Sequence, residues 1–335
     1  MKSKAWLLLS LAFGLWGTQL HAQTREVTIA HQDMIVPFLV AQAAGAVERS
    51  TGYKINWKIF GGGGDVIKAM ASGDVPIGEV GSSPATAAIA QGLDIEVVWV
   101  LDDINNAEQL VVTRNSGIAD LAGLKGKKIA TPLASTAHYQ LIYALSKAGI
   151  KPGEVQIINL RPQEIAAAWE RGDIDGTFVW DPVLSRVKAD GGKVILSSAD
   201  VAKLGAPTFD AVIVNKAWAA DNKPFVTALV KQLAAADDAY RQDKARYTAE
   251  SSEVKTIARV VGAKAEDVPA TLDSYAFPAA AAQASSAWLG GGKDGGVAKA
   301  LANTAQFLKA QGRIVEVPAD FSNFVNAEYA AAAAR

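Results

Sequence analysis

The chain has 335 residues, a length that suggests about two domains. Half of its residues are apolar and a fifth are charged, which is the mix of a chain that buries a core and excludes whole-chain disorder. Lys and Arg total 33 against 34 Asp and Glu, so no basic excess argues for nucleic acid, and the absence of cysteine excludes disulfides, thiolate metal sites, iron–sulfur clusters and cysteine nucleophiles. Lys2 and Lys4 precede an apolar stretch, residues 5–16, which Gly17, Thr18 and Gln19 interrupt, and the small Ala22 stands before Gln23. This pattern predicts a cleaved secretory signal peptide over residues 1–22. At about a dozen residues the apolar stretch falls short of the roughly 20 that a membrane anchor needs. Cleavage would leave 31 basic and 34 acidic residues in a mature chain expected to be soluble and exported.

Strands are predicted at 27–30, 53–60, 77–80, 96–101 and 109–113. The second of these alternates Ile55, Trp57 and Ile59 with Lys54, Asn56 and Lys58, the period of two that marks a strand. Between them, helices are predicted at 37–49, ahead of Gly52, at 65–71, opened by Asp65 as an acidic cap, and at 83–91. Residues 61–64, four glycines, read as a mobile loop: no Gly-Lys-Ser/Thr follows them, and no dinucleotide-binding register exists. A second series follows, with strands at 128–131, 155–160, 177–180, 194–196 and 211–214 and helices at 136–148, 163–171 and 181–188. Beyond Lys216 the chain reads as helical, including 300–311 with Leu301, Ala305 and Leu308 on one stripe. The alanine tail, 330–334, is expected to fray. Two strand–helix series and a helical return predict two α/β lobes, mainly parallel in their sheets, with a ligand cleft beyond the carboxyl ends of the strands.

The residues at those strand ends are therefore the candidates. Ser82, Ser83 and Pro84 open a helix directly after a strand, with Ser83 as the expected cap; two hydroxyls and unpaired N–H groups there suit an anion with several oxygens. Ser135, Thr136 and His138 form a similar opening in the second series. Trp180 ends a strand at the expected rim of the cleft, where it could stack on a ligand cation. Asp210, at the start of a strand, and Glu108, beside the first crossing between lobes, could each hold an ammonium. No metal-ligand set is expected from His21, His31 and His138, and no H-E-x-x-H, G-x-S-x-G or Walker sequence points to an enzyme or a cofactor.

Taken together, the segments 73–85 (GDVPIGEVGSSPA), 135–141 (STAHYQL), 150–160 (IKPGEVQIINL), 166–182 (AAAWERGDIDGTFVWDP) and 205–214 (GAPTFDAVIV) resemble the periplasmic binders of nitrate, sulfonates and taurine that serve ABC transporters. The resemblance runs from about Val27 to Tyr329. It implies a type II periplasmic-binding-protein fold with two crossing strands, the first lobe made of 23–108 and 213–335 and the second of 109–212. It implies a monomer, without cofactor, that captures a sulfonate such as taurine and delivers it to membrane permease subunits. Ser82 and Ser83 would bind the sulfonate from one lobe, Thr136 and His138 from the other, with Gln32 reaching the cleft; Asp210 and Glu108 would hold the ammonium, with Trp180 packed against it. His31 and Glu79 depart from the family pattern. Neutral donors at helix starts can satisfy a sulfonate without an arginine. An alkanesulfonate lacking the amine would leave Asp210 buried without a partner, at about 1–3 kcal/mol. The competing ligands are alkanesulfonates, aminophosphonates and other small anions. Because a sulfonate does not titrate, affinity is expected to be nearly flat from about pH 6 to 8 apart from any histidine contribution.

Overall fold

Ten strands form two five-stranded sheets in the computed structural model, which describes residues 25–335. The signal peptide expected over 1–22 lies outside the described residues. In chain order the strands are β1 (Glu26–Gln32), β2 (Lys54–Phe60), β3 (Ile77–Gly81), β4 (Ile95–Asp103), β5 (Gln109–Val112), β6 (Lys128–Thr131), β7 (Gln156–Asn159), β8 (Gly176–Val179), β9 (Lys193–Ser197) and β10 (Phe209–Asn215). The first sheet has the order β2-β1-β3-β10-β4 and the second β7-β6-β8-β5-β9. In each, parallel strands are joined by one antiparallel strand, β10 between β3 and β4 and β5 between β8 and β9. Both of these antiparallel strands follow directly on a crossing between lobes, which is why each sheet is mixed.

All of β10 pairs within the first sheet. The return crossing therefore precedes Phe209, and the second lobe ends there and not at residue 212. The helix expected over 37–49 is two helices, Phe38–Ala43 and Ala46–Thr51, because Gly45 between them takes a left-handed φ of +66°. A further helix, Ser198–Lys203, follows β9; Ser197 accepts the Asp200 N–H while Asp200 returns to the Ser197 N–H, a reciprocal capping pair. The alanine tail does not fray: it forms the helix Glu328–Ala333, with Tyr329 and Ala330 buried.

The helical return ties the lobes together. Helix Gly296–Ala310 packs on helix Ser82–Ala90 of the first lobe, and its Phe307 ring meets Tyr139 and Tyr143 of the second. Thr271, in helix Val268–Ser274, donates to Asp181 Oδ2 at 2.6 Å. No helix among the described residues is long and apolar enough to cross a membrane.

Candidate ligand-binding cleft

Strand β3 runs without a linker into helix Ser82–Ala90. Ser83 does not cap this helix: Gly81 occupies the flanking position, and Ser82, Ser83 and Pro84 fill the first turn. Neither hydroxyl is consumed in capping, so both remain available. Ser82 Oγ accepts the Phe209 N–H at 3.4 Å, and Ser83 Oγ donates to the Ser135 carbonyl at 3.5 Å across the cleft. In the second lobe helix Thr136–Lys147 is capped by Ser135, whose Oγ accepts the His138 N–H at 3.0 Å. Thr136 Oγ1 donates to Glu108 Oε1 at 2.5 Å. Two helix N-termini, each with a positive dipole end, thus face one another over the same strand ends. Because backbone N–H groups survive side-chain replacement, Ser82→Ala or Ser83→Ala alone is expected to weaken anion binding by only about 1 kcal/mol, and the double variant by more without abolishing it. A calorimetric titration of the three variants checks this; wild-type affinity in the double variant would put the anion elsewhere.

The carboxylates lie beside these helix starts. Asp210 on β10 is in register with Asp102 on β4, and an added Cβ on Gly81 would stand 3.3 Å from Asp210 Oδ1 and 2.5 Å from Thr136 Cγ2. Asp102 is fully buried, and neither of its oxygens has a hydrogen-bond partner. Glu108 also keeps one oxygen, Oε2, without a partner. Glu79 is occupied: it accepts the Gln32 backbone N–H at 2.7 Å and the Gln32 side-chain amide at 2.9 Å. Burial pushes Glu108 up to about 7 against the pull of Thr136, and Glu79 up to about 7 against the pull of Gln32. Burial raises Asp102 well above the usual carboxylate range, with Glu79, Asp103, Asp237 and Glu108 adding to it, and burial raises Asp210 likewise, with Asp102, Glu79 and Glu108 adding to it. Tyr275 closes the cluster from the helical return; burial and the Asp102, Asp210 and Glu108 carboxyls raise its phenol. Among the described residues no Lys or Arg contributes to holding any of these four carboxyls ionised, and no group of three His, Asp or Glu side chains is arranged to hold a metal ion. Buried carboxylates without a cationic partner are costly, and an organic cation supplied by a ligand would relieve that cost.

The remaining candidates are placed as follows. Trp180 is buried rather than at a rim, and its indole N–H has no hydrogen-bond partner. It faces Asp33, a buried acid that burial pushes up to about 6. His138 is buried in the first turn of its helix with Nε2 unpartnered; burial, then the Arg313 guanidinium, lowers it to about 4, so the ring is neutral at physiological pH. The Gln32 amide is held by Glu79 and leans on Met34 Sδ. Asp102, Asp33, Glu79 and Tyr275 were not among the residues singled out as ligand contacts. The signal for Asp102 was present, since two acids end the apolar run of β4 at its carboxyl end, where ligands bind.

The four-glycine segment is packed rather than mobile. Helix Gly63–Ala71 begins within it, leaving Asp65 in the first turn instead of at the cap. Side chains there would collide: an added Cβ would stand 3.0 Å from Arg161 Cδ at Gly61, 2.8 Å from Pro84 Cγ at Gly63 and 3.3 Å from Ala134 Cβ at Gly64. Asp65 pairs with Arg161 of the other lobe at 3.1 Å, an exposed contact worth about 0–1 kcal/mol.

The chain is similar to known proteins. The family described as NMT1/THI5 like matches residues 34–245. A taurine-binding periplasmic protein of Escherichia coli (strain K12) is 38% identical over 331 residues, covering 98% of this chain and 99% of the relative. A putative aliphatic sulfonates-binding protein of Bacillus subtilis (strain 168) is 34% identical over 195 residues, 57% of this chain and 59% of the relative. Among solved structures, the alkanesulfonate-binding protein SsuA from Xanthomonas axonopodis pv. citri, bound to MOPS, superposes with a TM-score of 0.72 at 27% identity, covering 92% of this chain and 98% of that one.

Proposed function

Because the chain belongs to the NMT1/THI5-like family and has the two-lobed α/β fold of periplasmic solute-binding proteins, we propose that it captures taurine (2-aminoethanesulfonate) for an ABC importer. In this reading the chain is exported by its signal peptide, binds taurine in the periplasm as a monomer, and hands it to membrane permease subunits without catalysing a reaction. The observation that carries the choice of ligand is the charge layout of the cleft. Asp102, Glu108 and Asp210 are buried carboxyls without a basic partner, and they adjoin the two hydroxyl-bearing helix starts at Ser82–Ser83 and Ser135–Thr136. Taurine carries an ammonium and a sulfonate one ethylene apart, so a single small molecule meets both halves. The sulfonate oxygens accept from the Ser82 and Ser83 hydroxyls and from helix N–H groups, that of Thr136 among them, with His138 and Gln32 beside them. The ammonium donates to Asp210 and Glu108, and Trp180 supplies an aromatic wall. Closing the lobes over the ligand removes both ends from water, which strengthens each of these contacts.

A second reading is an alkanesulfonate binder, which the likeness to SsuA favours. Asp210→Asn separates the two. For taurine this variant is expected to lose roughly 1.5–3 kcal/mol, or about ten- to a hundredfold in affinity, while ethanesulfonate, which lacks the amine, is bound equally well or better. Calorimetry on ligand-stripped protein measures both. Equal losses for the two ligands would overturn the ammonium assignment, and tighter wild-type binding of ethanesulfonate than of taurine would favour the second reading.

A further inference from the structure

We propose that Asp102 is a specificity-determining residue: with Glu108 and Asp210 it offers three carboxylate acceptors, from three separate chain segments, to the three N–H donors of a primary ammonium. The inference rests on the taurine reading and narrows it to primary amino-sulfonates.

The geometry behind it is specific. Asp102 is the last residue but one of β4, Glu108 lies on the crossing that follows, and Asp210 is the second residue of β10 after the return crossing. Their side chains are buried, Asp102 completely so. Asp102 and Asp210 stand in register on paired strands, close enough for their carboxyls to interact directly. Both oxygens of Asp102 and Oε2 of Glu108 lack donors, while Oε1 of Glu108 already accepts from Thr136. Glu79 is excluded from the set because Gln32 occupies both of its oxygens. Charge alone would not require three acceptors. An ammonium is a point charge that one carboxylate could neutralise, but it has three donors that must all be satisfied in a buried site. Each N-methyl group keeps the positive charge and removes one donor, leaving a buried carboxylate facing a methyl group. Sites built to hydrogen-bond a substrate group reject the analogue lacking it far more strongly than an apolar pocket rejects an added methyl.

The test measures taurine, N-methyltaurine, N,N-dimethyltaurine and ethanesulfonate against ligand-stripped wild type and Asp102→Leu, which keeps the volume and removes the acceptors, by calorimetry. 2-Aminopropane-1-sulfonate is the control for volume: it carries the same added methyl on carbon and keeps three N–H donors. Wild type is expected to lose about tenfold in affinity for each N-methyl group, and less for the carbon-methylated isomer. In Asp102→Leu the preference for taurine over N-methyltaurine should fall to within about twofold, while ethanesulfonate still binds. The wild-type series stands even if the variant fails to fold. Wild type that binds taurine well above ethanesulfonate, yet treats N,N-dimethyltaurine like taurine, overturns the three-acceptor site alone. Undiminished methyl discrimination in a folded Asp102→Leu does the same for Asp102. Ethanesulfonate binding as tightly as taurine would overturn the taurine reading, and this inference with it.

Discussion

Gly81→Ala is expected to fold normally and to bind ligand about ten- to a hundredfold more weakly. The backbone at Gly81 has φ −66° and ψ 157°, which any residue can adopt, so alanine imposes no local strain. Its methyl would instead stand 2.5 Å from Thr136 Cγ2, a side chain of the opposite lobe, and 3.3 Å from both Thr136 Oγ1 and Asp210 Oδ1. Glycine here lets the end of β3 approach the start of helix Thr136–Lys147 when the lobes close. A methyl wedged at that point holds them apart or displaces Thr136 from Glu108. Overpacking of this kind costs about 1–3 kcal/mol, and the cost should fall on the closed, liganded state. Two measurements check it together: a thermal melt without ligand, expected within a few degrees of wild type, and a taurine titration, expected to be severely weakened. Wild-type affinity would show that Gly81 does not limit closure. A pairing with Thr136→Ser, which removes the colliding Cγ2, should restore part of the loss.

The outline of this cleft was legible in the sequence because ligand sites in such folds follow strand ends, and strand ends are marked by apolar runs that stop. Residues 77–80 and 128–131 stop in this way a few positions before Ser82 and Thr136, and Trp180 itself ends the run 177–180. What the sequence did not reveal depends on tertiary placement. Ser83 looked like a cap because serine before proline often is one, yet Gly81 took that position, and only the path of the chain shows that the Ser83 hydroxyl reaches the other lobe. The glycine run read as mobile because local sequence cannot show that Arg161, Pro84 and Ala134 would press against any side chain there. Asp102 closes the apolar run of β4 together with Asp103, but its meaning appears only when β10 returns from the second lobe to set Asp210 opposite it. Tyr275 reaches the same cluster from a helix about 170 residues beyond β4, a juxtaposition no local pattern carries.

The same buried acids overturn the expectation of a flat pH profile and replace it with two opposed trends. Glu79 and Glu108 are pushed up to about 7 by burial, and burial raises Asp102 and Asp210 as well. A carboxyl whose folded value is raised is held protonated by the fold. Its contribution to stability is fully present below the unfolded value, near 4.5 for Glu, and is lost as pH rises through about 7. The ligand-free protein should therefore become less stable from about pH 5 to 8, by on the order of 1–3 kcal/mol for each glutamate. Taurine acts in the opposite sense. Its ammonium favours the ionised carboxylates, so binding expels protons and affinity rises with pH, by up to about tenfold per pH unit for each proton released. His138, lowered to about 4, stays neutral over this range and adds nothing. Melting curves with and without taurine at pH 5, 6, 7 and 8 should diverge: the ligand-free curve falls while the stabilisation by taurine grows. Titrations in buffers of different ionisation enthalpy count the protons released directly. Ethanesulfonate, which brings no cation, should show no such rise. Taurine affinity that stays level between pH 6 and 8, with no proton release, would mean that the ammonium does not meet these carboxylates.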